Sequence, residues 1–176
     1  ILAYKPFLFF LMRFFAFYIL ATIVYQYYLA QFDYTKNEVD GITQIVAKQT
    51  VQVMNMVDNA AYVKPNQLEP SINVFYHNKW VVRIIEGCNA VSVLILFISF
   101  IIAFIGKIAT TLVFVGLGSS FIYLFNIVRI AFLSISIFYY PEYQNFLHEI
   151  VFPLVIYGLV FLLWFLWVHK FSYYAR

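Results

Sequence analysis

The chain has little of what a water-soluble domain needs to cover its surface. Charged residues make up only 11% of its 176 residues, whereas 64% are hydrophobic and 22% are aromatic. A soluble domain of this length exposes far more polar surface. The composition therefore predicts an integral membrane protein with aromatic rings at the two membrane interfaces. So apolar a chain is also not expected to bind nucleic acid.

Cysteine occurs only once, at Cys88. One thiol cannot pair with itself, so a disulfide framework within the chain is excluded. A lone cysteine is most often a small buried hydrophobe. This one, however, lies between the charged residues Arg83 and Glu86 and the start of a long apolar run. The role of Cys88 therefore depends on where the membrane boundary lies.

Four apolar segments are long enough to cross a hydrocarbon core of about 30 Å, which takes roughly 20 helical residues. They are Phe7–Leu29, Cys88–Ile105, Ile108–Tyr139 and Glu149–Val168. The first is too long and too aromatic for a signal peptide. The chain begins at Ile1 rather than at a methionine, so we expect a few residues to precede it. The predicted fold class is an all-α membrane protein with about four spans.

Charges are distributed unevenly between the two ends of these spans. One side carries only basic residues, namely Lys5, Arg13, Lys107, Lys170 and Arg176. The eight acidic residues lie on the other side. The positive-inside rule then predicts that both termini are cytoplasmic. The outer loops would face the periplasm of a Gram-negative cell.

The residues fall into span 1 (1–30), an outer insertion (31–87) and a membrane core with spans 2 to 4 (88–176). In the insertion, Thr35–Glu38 has the spacing of a capping box and predicts a helix start. An amphipathic helix, lying on the membrane or on the spans, is predicted from apolar residues at helical spacing: Ile42, Ile45, Val46, Val53, Met56 and Val57. Two short runs of β-branched and aromatic residues around Asn78 predict a hairpin that leads into Cys88.

Three reactive side chains are predicted at one height near the outer face. At 1.5 Å per helical residue, Cys88 lies about 28 Å from Lys107, and Arg129 lies about 33 Å from Lys107 on the next span. His148 lies about 31 Å from His169 on the last span. A thiol, a guanidinium and an imidazole from three spans would therefore meet at one level.

These three groups suit a thiol nucleophile and its helpers. His148 can take the proton of the Cys88 thiol and return it to a leaving amine. Arg129 can hold a substrate carbonyl or the oxyanion that forms from it. Pro153 is expected to kink the fourth span just below His148.

Three further residues are candidates for polar support of this site. Asn126 lies one helical turn before Arg129, and Asn89 directly follows Cys88. Glu149 is the neighbour of His148. One cysteine with scattered histidines makes a poor zinc site, so we expect no metal and no cofactor.

Two interpretations without catalysis stay open. In the first, the chain is a membrane scaffold or assembly protein in which Arg129 forms an ion pair with Glu86 or Glu149 and Cys88 only packs. In the second, it is a small transporter or channel component with Arg129 as an anion site. The second is disfavoured because the polar groups gather at one end of the spans rather than at their middle.

The sequences EGCNAVSV, FNIVRIAF and FLHEIVFP resemble the exosortase/archaeosortase family of membrane transpeptidases, and most of all its short exosortase F type. The resemblance covers the chain from about Arg83 to its end. It implies that Cys88 is the nucleophile and that Arg129 and His148 are the family's arginine and histidine. Commoner members have Ser-Gly after the cysteine, where this chain has Asn89 and Ala90.

The resemblance also implies a reaction and its partners. Substrates of the family are exported proteins with a C-terminal signal made of a short motif, a hydrophobic helix and a basic cluster. Cys88 would attack a peptide carbonyl just outside the inner membrane, and the thioacyl intermediate would pass to an acceptor nucleophile or to water. The expected partners are these substrates, the lipid bilayer and a small membrane partner protein.

Overall fold

The structure, a computed structural model, describes residues 5–104 and 106–172. Two sequence expectations lie outside these residues, namely the end of the second span at Ile105 and the basic residue Arg176. In chain order the main elements are α1 (Lys5–Leu29), α2 (Gly41–Asn55), β1 (Ala61–Pro65), β2 (Ile72–Tyr76), β3 (Lys79–Ile84), α3 (Val91–Ala103), α4 (Ile108–Tyr139), the short α5 (Gln144–Phe146) and α6 (Phe152–Lys170).

Three helical runs among the described residues are long and apolar enough to cross a membrane: α1, α4 and the run Pro141–Lys170. They match the first, third and fourth predicted spans. The second prediction is wrong in length, because α3 has 13 residues and is about 20 Å long. It starts only at Val91 because the residues around Cys88 form a tight turn instead of helix.

The residues divide into two compact units. The helical unit comprises 1–28, 91–123 and 157–176, and the mixed unit comprises 29–90 and 124–156. In the helical unit, α1 packs on α3 through aromatic rings. The ring centroids of Phe10 and Phe104 are 4.4 Å apart, and those of Phe14 and Phe100 are 4.6 Å apart.

A close helix contact in the helical unit depends on a glycine. A Cβ atom on Gly118 of α4 would lie 2.5 Å from the Cζ atom of Phe97, whose side chain is fully buried on α3. Gly116 lies on the same helix, but a Cβ atom at that position would have no heavy atom within 4 Å apart from those of its adjacent residues and the helix backbone. Small residues therefore bring these helices together at Gly118 but not at Gly116.

The mixed unit contains a three-stranded antiparallel sheet in the order β1-β2-β3. The hairpin β2-β3 confirms the predicted one, and its two turn residues His77 and Asn78 both have positive φ, as a tight hairpin turn requires. The third strand of the sheet, β1, was missed. This strand has five residues and ends in Pro65, and the side chain of Asn55 holds it by hydrogen bonds to both N and O of Ala61.

The start and the buried face of α2 differ from the prediction. The helix begins at Gly41, and its N-cap is Asp40, whose Oδ1 accepts from the N–H of Thr43 at 2.9 Å. Thr35 and Lys36 belong instead to a 3-10 turn, Tyr34–Lys36, that Asp33 caps. The residues that α2 buries are Thr43, Val46, Ala47, Thr50 and Met54. Only Val46 was in the predicted apolar set, because two threonines occupy the inner face.

The end of α4 packs against the sheet. The helix has 32 residues and is about 48 Å long, which exceeds the hydrocarbon core of about 30 Å. Its ring at Phe138 lies 5.0 Å from that of Tyr76 and 5.4 Å from that of His77. Burial, together with the nearby Tyr139 and Asp58, raises the pKa of Tyr76. The last turns of α4 thus pack on the sheet.

We expect Gly118→Ala to lower the free energy of unfolding by about 1–3 kcal/mol, because the new methyl group overlaps a buried ring that cannot move freely. Gly116→Ala on the same helix is the matched control and should be neutral or slightly stabilising. Thermal unfolding of the detergent-solubilised protein measures both. Equal melting temperatures for the two variants would contradict the close contact, and adding Phe97→Leu should relieve part of the Gly118→Ala loss.

Candidate active site

Cys88 lies in a short turn that connects the sheet to α3. The turn is a 3-10 helix, Glu86–Cys88, and begins two residues after β3 ends. The N–H of Cys88 donates to Ile85 O at 2.9 Å, and the N–H of Asn89 donates to Glu86 O at 3.1 Å. The side chain of Cys88 is half-buried and forms no disulfide. The hairpin therefore leads into Cys88, as the sequence predicts, but the thiol lies in a locally hydrogen-bonded turn and not in the first turn of the helical span.

Asn126 holds this turn from the middle of α4. Its Nδ2 atom donates to the carbonyl oxygen of Cys88 at 2.8 Å, although the two residues are 38 positions apart. The Asn126 side chain is 2% exposed. A buried amide in an apolar helix needs a hydrogen-bond partner, and the backbone of Cys88 supplies it. Asn126 therefore contacts the main chain of the candidate nucleophile directly.

Asn89 is held from the opposite direction by a residue that the sequence did not single out. Its Nδ2 atom donates to Oγ1 of Thr43 at 3.1 Å, and both side chains are almost completely buried. Thr43 lies in the first turn of α2, which Asp40 caps. No local pattern reveals this contact, because 46 residues separate its two partners.

Ala90 has a left-handed backbone. Its φ is 68°, whereas an L-residue adopts this region only at a cost of roughly 1–2 kcal/mol. This is the position at which commoner members of the family that the chain resembles have glycine, which adopts such a φ without strain. The residue is 4% exposed, so the packed surroundings hold the turn in this shape.

Arg129 lies one turn beyond Asn126 on α4 and is half-buried. Its Cζ atom is 6.0 Å from the ring centroid of Phe152, the first residue of α6. This distance is at the outer limit of a cation–π interaction. Phe152 is itself buried in a cluster with Leu133 and Ile137. The guanidinium group of Arg129 is thus positioned beside the start of α6.

His148 and Glu149 lie in a π-helical turn, Leu147–Val151, and both are exposed. Here the N–H of Phe152 donates to Leu147 O, five residues back, rather than to His148 O. Pro153 has no N–H to continue the pattern. The sequence expectation of a kink at Pro153 therefore corresponds to a π turn just before it, and such turns are frequent at functional sites.

Contacts through two residues connect the three segments that carry Cys88, Arg129 and His148. Asn126 links the Cys88 turn to the helix turn that carries Arg129. Phe152 links Arg129 to the helix that begins four residues after His148. Asn126 binds the main chain of Cys88 and Asn89 binds Thr43, whereas His148 and Glu149 lie on the exposed π-helical turn that directly precedes α6.

We expect Ala90→Gly to raise the free energy of unfolding by about 1 kcal/mol, because glycine adopts the left-handed backbone without the steric cost of a Cβ atom. Ala131→Gly, at a buried interior position of α4, is the matched control and should lower stability by about 1 kcal/mol. Denaturation of the solubilised protein followed by tryptophan fluorescence measures both. Destabilisation by Ala90→Gly would refute a strained backbone at this residue.

Comparison with known proteins agrees with the sequence resemblance over a longer part of the chain. The family model described as transmembrane exosortase matches residues 2–167, which include α1 and the outer insertion as well as the segments around Cys88, Arg129 and His148. No curated protein and no solved structure matches the chain. Since the family model covers nearly the whole chain, this protein belongs to the transmembrane exosortase family.

Proposed function

We propose that this protein is a cysteine transpeptidase or peptidase of the short exosortase F type, which cleaves the C-terminal sorting signals of exported proteins. Membership of the exosortase family implies processing of sorting signals in a membrane. The local sequences around the three candidate catalytic residues favour the short type. The outcome of the reaction is the release of an exported protein from its C-terminal anchor helix.

The observation that carries the proposal is the way the only thiol is held. Cys88 lies between an extramembrane sheet and an apolar helix, and Asn126 binds its carbonyl oxygen one turn from Arg129. A cysteine that only filled space would not need its main chain fixed by a buried amide inside an apolar helix. This arrangement supports Cys88 as a nucleophile at the membrane boundary.

In the proposed reaction, His148 takes the proton from Sγ of Cys88, and the sulfur attacks the carbonyl carbon of the scissile peptide bond. The carbonyl oxygen becomes an oxyanion, which the guanidinium group of Arg129 stabilises. The C–N bond then breaks, and His148 returns the proton to the leaving amine of the anchor helix. The exported protein stays on Cys88 as a thioester until an acceptor nucleophile or water attacks it and regenerates the thiol.

The proposed topology places this chemistry at the outer face of the inner membrane. Both termini would be cytoplasmic, and the insertion with the sheet would lie in the periplasm. The surplus length of α4 supports this arrangement, because its last turns pack on the sheet and not on lipid. The hydrophobic helix of a substrate, lying in the same bilayer, would present its preceding peptide bond at the level of Cys88.

Cys88→Ala should abolish processing while the variant inserts normally, because the methyl group cannot form a thioester and is easily accommodated at a half-buried site. The measurement is mass spectrometry of the C-termini of envelope proteins in cells with the native protein or the variant. A set of proteins that keep a C-terminal hydrophobic helix only in the variant is the expected result. Unchanged C-termini at equal expression would instead favour the scaffold interpretation.

Arg129→Lys should reduce processing by about 10²–10³-fold, because a lysine keeps the charge but loses the planar pair of N–H donors. The matched control is Arg83→Lys. Arg83 is close to Cys88 in sequence, but it forms an exposed ion pair with Glu69. The rate at which a pulse-labelled substrate loses its anchor helix measures both variants. Equal rates for the two would show that Arg129 is not part of the reaction.

His148→Gln tests the proton transfer, which typically contributes about 10²–10⁴-fold. We expect the rate of processing to fall by this amount and the remaining activity to depend less on pH, because glutamine cannot take up the proton of the thiol. The pH profile of processing in membrane vesicles is the measurement. A variant that keeps the native profile would exclude His148 as the base.

A further inference from the structure

A residue of the outer insertion contacts the candidate active site through a buried hydrogen bond. Thr43 in α2 accepts from the Asn89 amide at 3.1 Å, and neither residue is more than 1% exposed. Asn89 is the residue after Cys88. The insertion therefore does more than cover the end of α4, since its helix reaches the turn that carries the thiol.

The Cys88 turn is held between two helices. On one side, Asn126 of α4 donates to the Cys88 carbonyl at 2.8 Å. On the other side, Thr43 of α2 receives the side chain of Asn89. The peptide unit between Cys88 and Asn89 is therefore fixed by its oxygen through one helix and by the adjacent side chain through the other.

The strained backbone of Ala90, the residue after Asn89, explains why contacts from both Asn126 and Thr43 hold the turn. Ala90 keeps a φ of 68°, and a conformation of this kind persists only where neighbouring contacts over-determine it. The bond to Thr43 is one of the contacts that hold Asn89, and its loss removes part of the support that keeps Ala90 at a positive φ. A movement at either residue would displace Cys88, which is one position from Asn89 and two from Ala90.

Thr43 is itself fixed by the helix start. Its N–H donates to Oδ1 of Asp40, and the Asp40 side chain is 2% exposed. A capped first turn has little freedom, so the hydroxyl oxygen stays where the Asn89 amide needs it. Asp40, Thr43 and Asn89 thus form a continuous buried chain of hydrogen bonds that ends at the residue after Cys88.

We propose that Thr43 is a positioning residue for catalysis and that α2 of the outer insertion acts on the thiol through Asn89. The inference rests on the proposed role of Cys88 as nucleophile. Thr43 holds the geometry of the turn and touches neither the substrate nor the thiol. The outer insertion is then an integral part of the active site and not an accessory domain for binding.

The test compares two threonines of the same helix. Thr43→Val removes the hydroxyl that binds Asn89, whereas Thr50→Val removes a hydroxyl that is equally buried but has no hydrogen-bond partner among the described residues. We expect Thr43→Val to slow processing by roughly 10- to 100-fold, as a displacement of about 1 Å in a reacting group can do. Thr50→Val should process at the native rate, and Thr43→Ser should restore most of the loss.

A double-mutant cycle separates positioning from a general loss of structure. If Thr43 acts through Asn89, then Thr43→Val adds no further loss in the presence of Asn89→Ala. The rates are measured in cells on the substrates that Cys88→Ala leaves unprocessed, and each is divided by the amount of inserted protein. Losses that multiply in the double variant would overturn the inference, as would equal rates for Thr43→Val and Thr50→Val.

The two proposals fail in different ways. If Cys88→Ala stops processing but Thr43→Val and Asn89→Ala do not change it, the positioning role is wrong and the proposed function stands. If Cys88→Ala leaves the C-termini of exported proteins unchanged, both are wrong. If the Thr43→Val protein does not accumulate, Asn89→Ala tests the same hydrogen bond by removing its donor. A native rate of processing in Asn89→Ala would then overturn the role of Thr43.

Discussion

The hydrogen bond from Asn126 to the Cys88 carbonyl is the interaction on which the mixed unit depends. A buried amide without a partner costs about 1–3 kcal/mol, and here donor and acceptor satisfy each other. Because they belong to segments 38 residues apart, the bond fixes the turn after the hairpin to one position along α4. A turn displaced by one residue would leave two buried polar groups without partners.

Helix α4 provides the common support. Asn126, Arg129, Leu133 and Ile137 follow one another at helical spacing, so one face of the helix carries first a polar pair and then an apolar pair. The polar pair meets the Cys88 turn and the start of α6, and the apolar pair packs with Phe152 and Val82. A helix longer than the bilayer is thick can serve both purposes, since its surplus turns contact protein.

Sequence reasoning succeeded where a signal is local. Apolar runs of 20 residues or more identify α1 and α4, and the His77-Asn78 turn identifies the hairpin. It failed where a feature depends on a partner far along the chain. Strand β1 exists because β2 and Asn55 bind it, and the inner face of α2 contains Thr43 because Asn89 needs an acceptor.

The positions of the three candidate residues along the membrane normal were predicted by assuming continuous α-helices. Two of the three segments are not regular α-helix. Cys88 precedes α3 in a 3-10 turn, and His148 lies in a π turn, so only Arg129 is in the regular helix that the arithmetic assumed. The residue types and their order along the chain could be inferred from sequence. The contacts through Asn126 and Phe152 could not, because spacing carries no information on which helices meet.

The π turn has a consequence for the directions of side chains along the last helical run. It inserts one residue into an α-helix, and one residue corresponds to about 100° of rotation around the axis. Residues before Leu147 and after Val151 are therefore out of phase by that angle. A helical wheel drawn through the whole run would therefore place His148 in the wrong sector relative to the residues of α6.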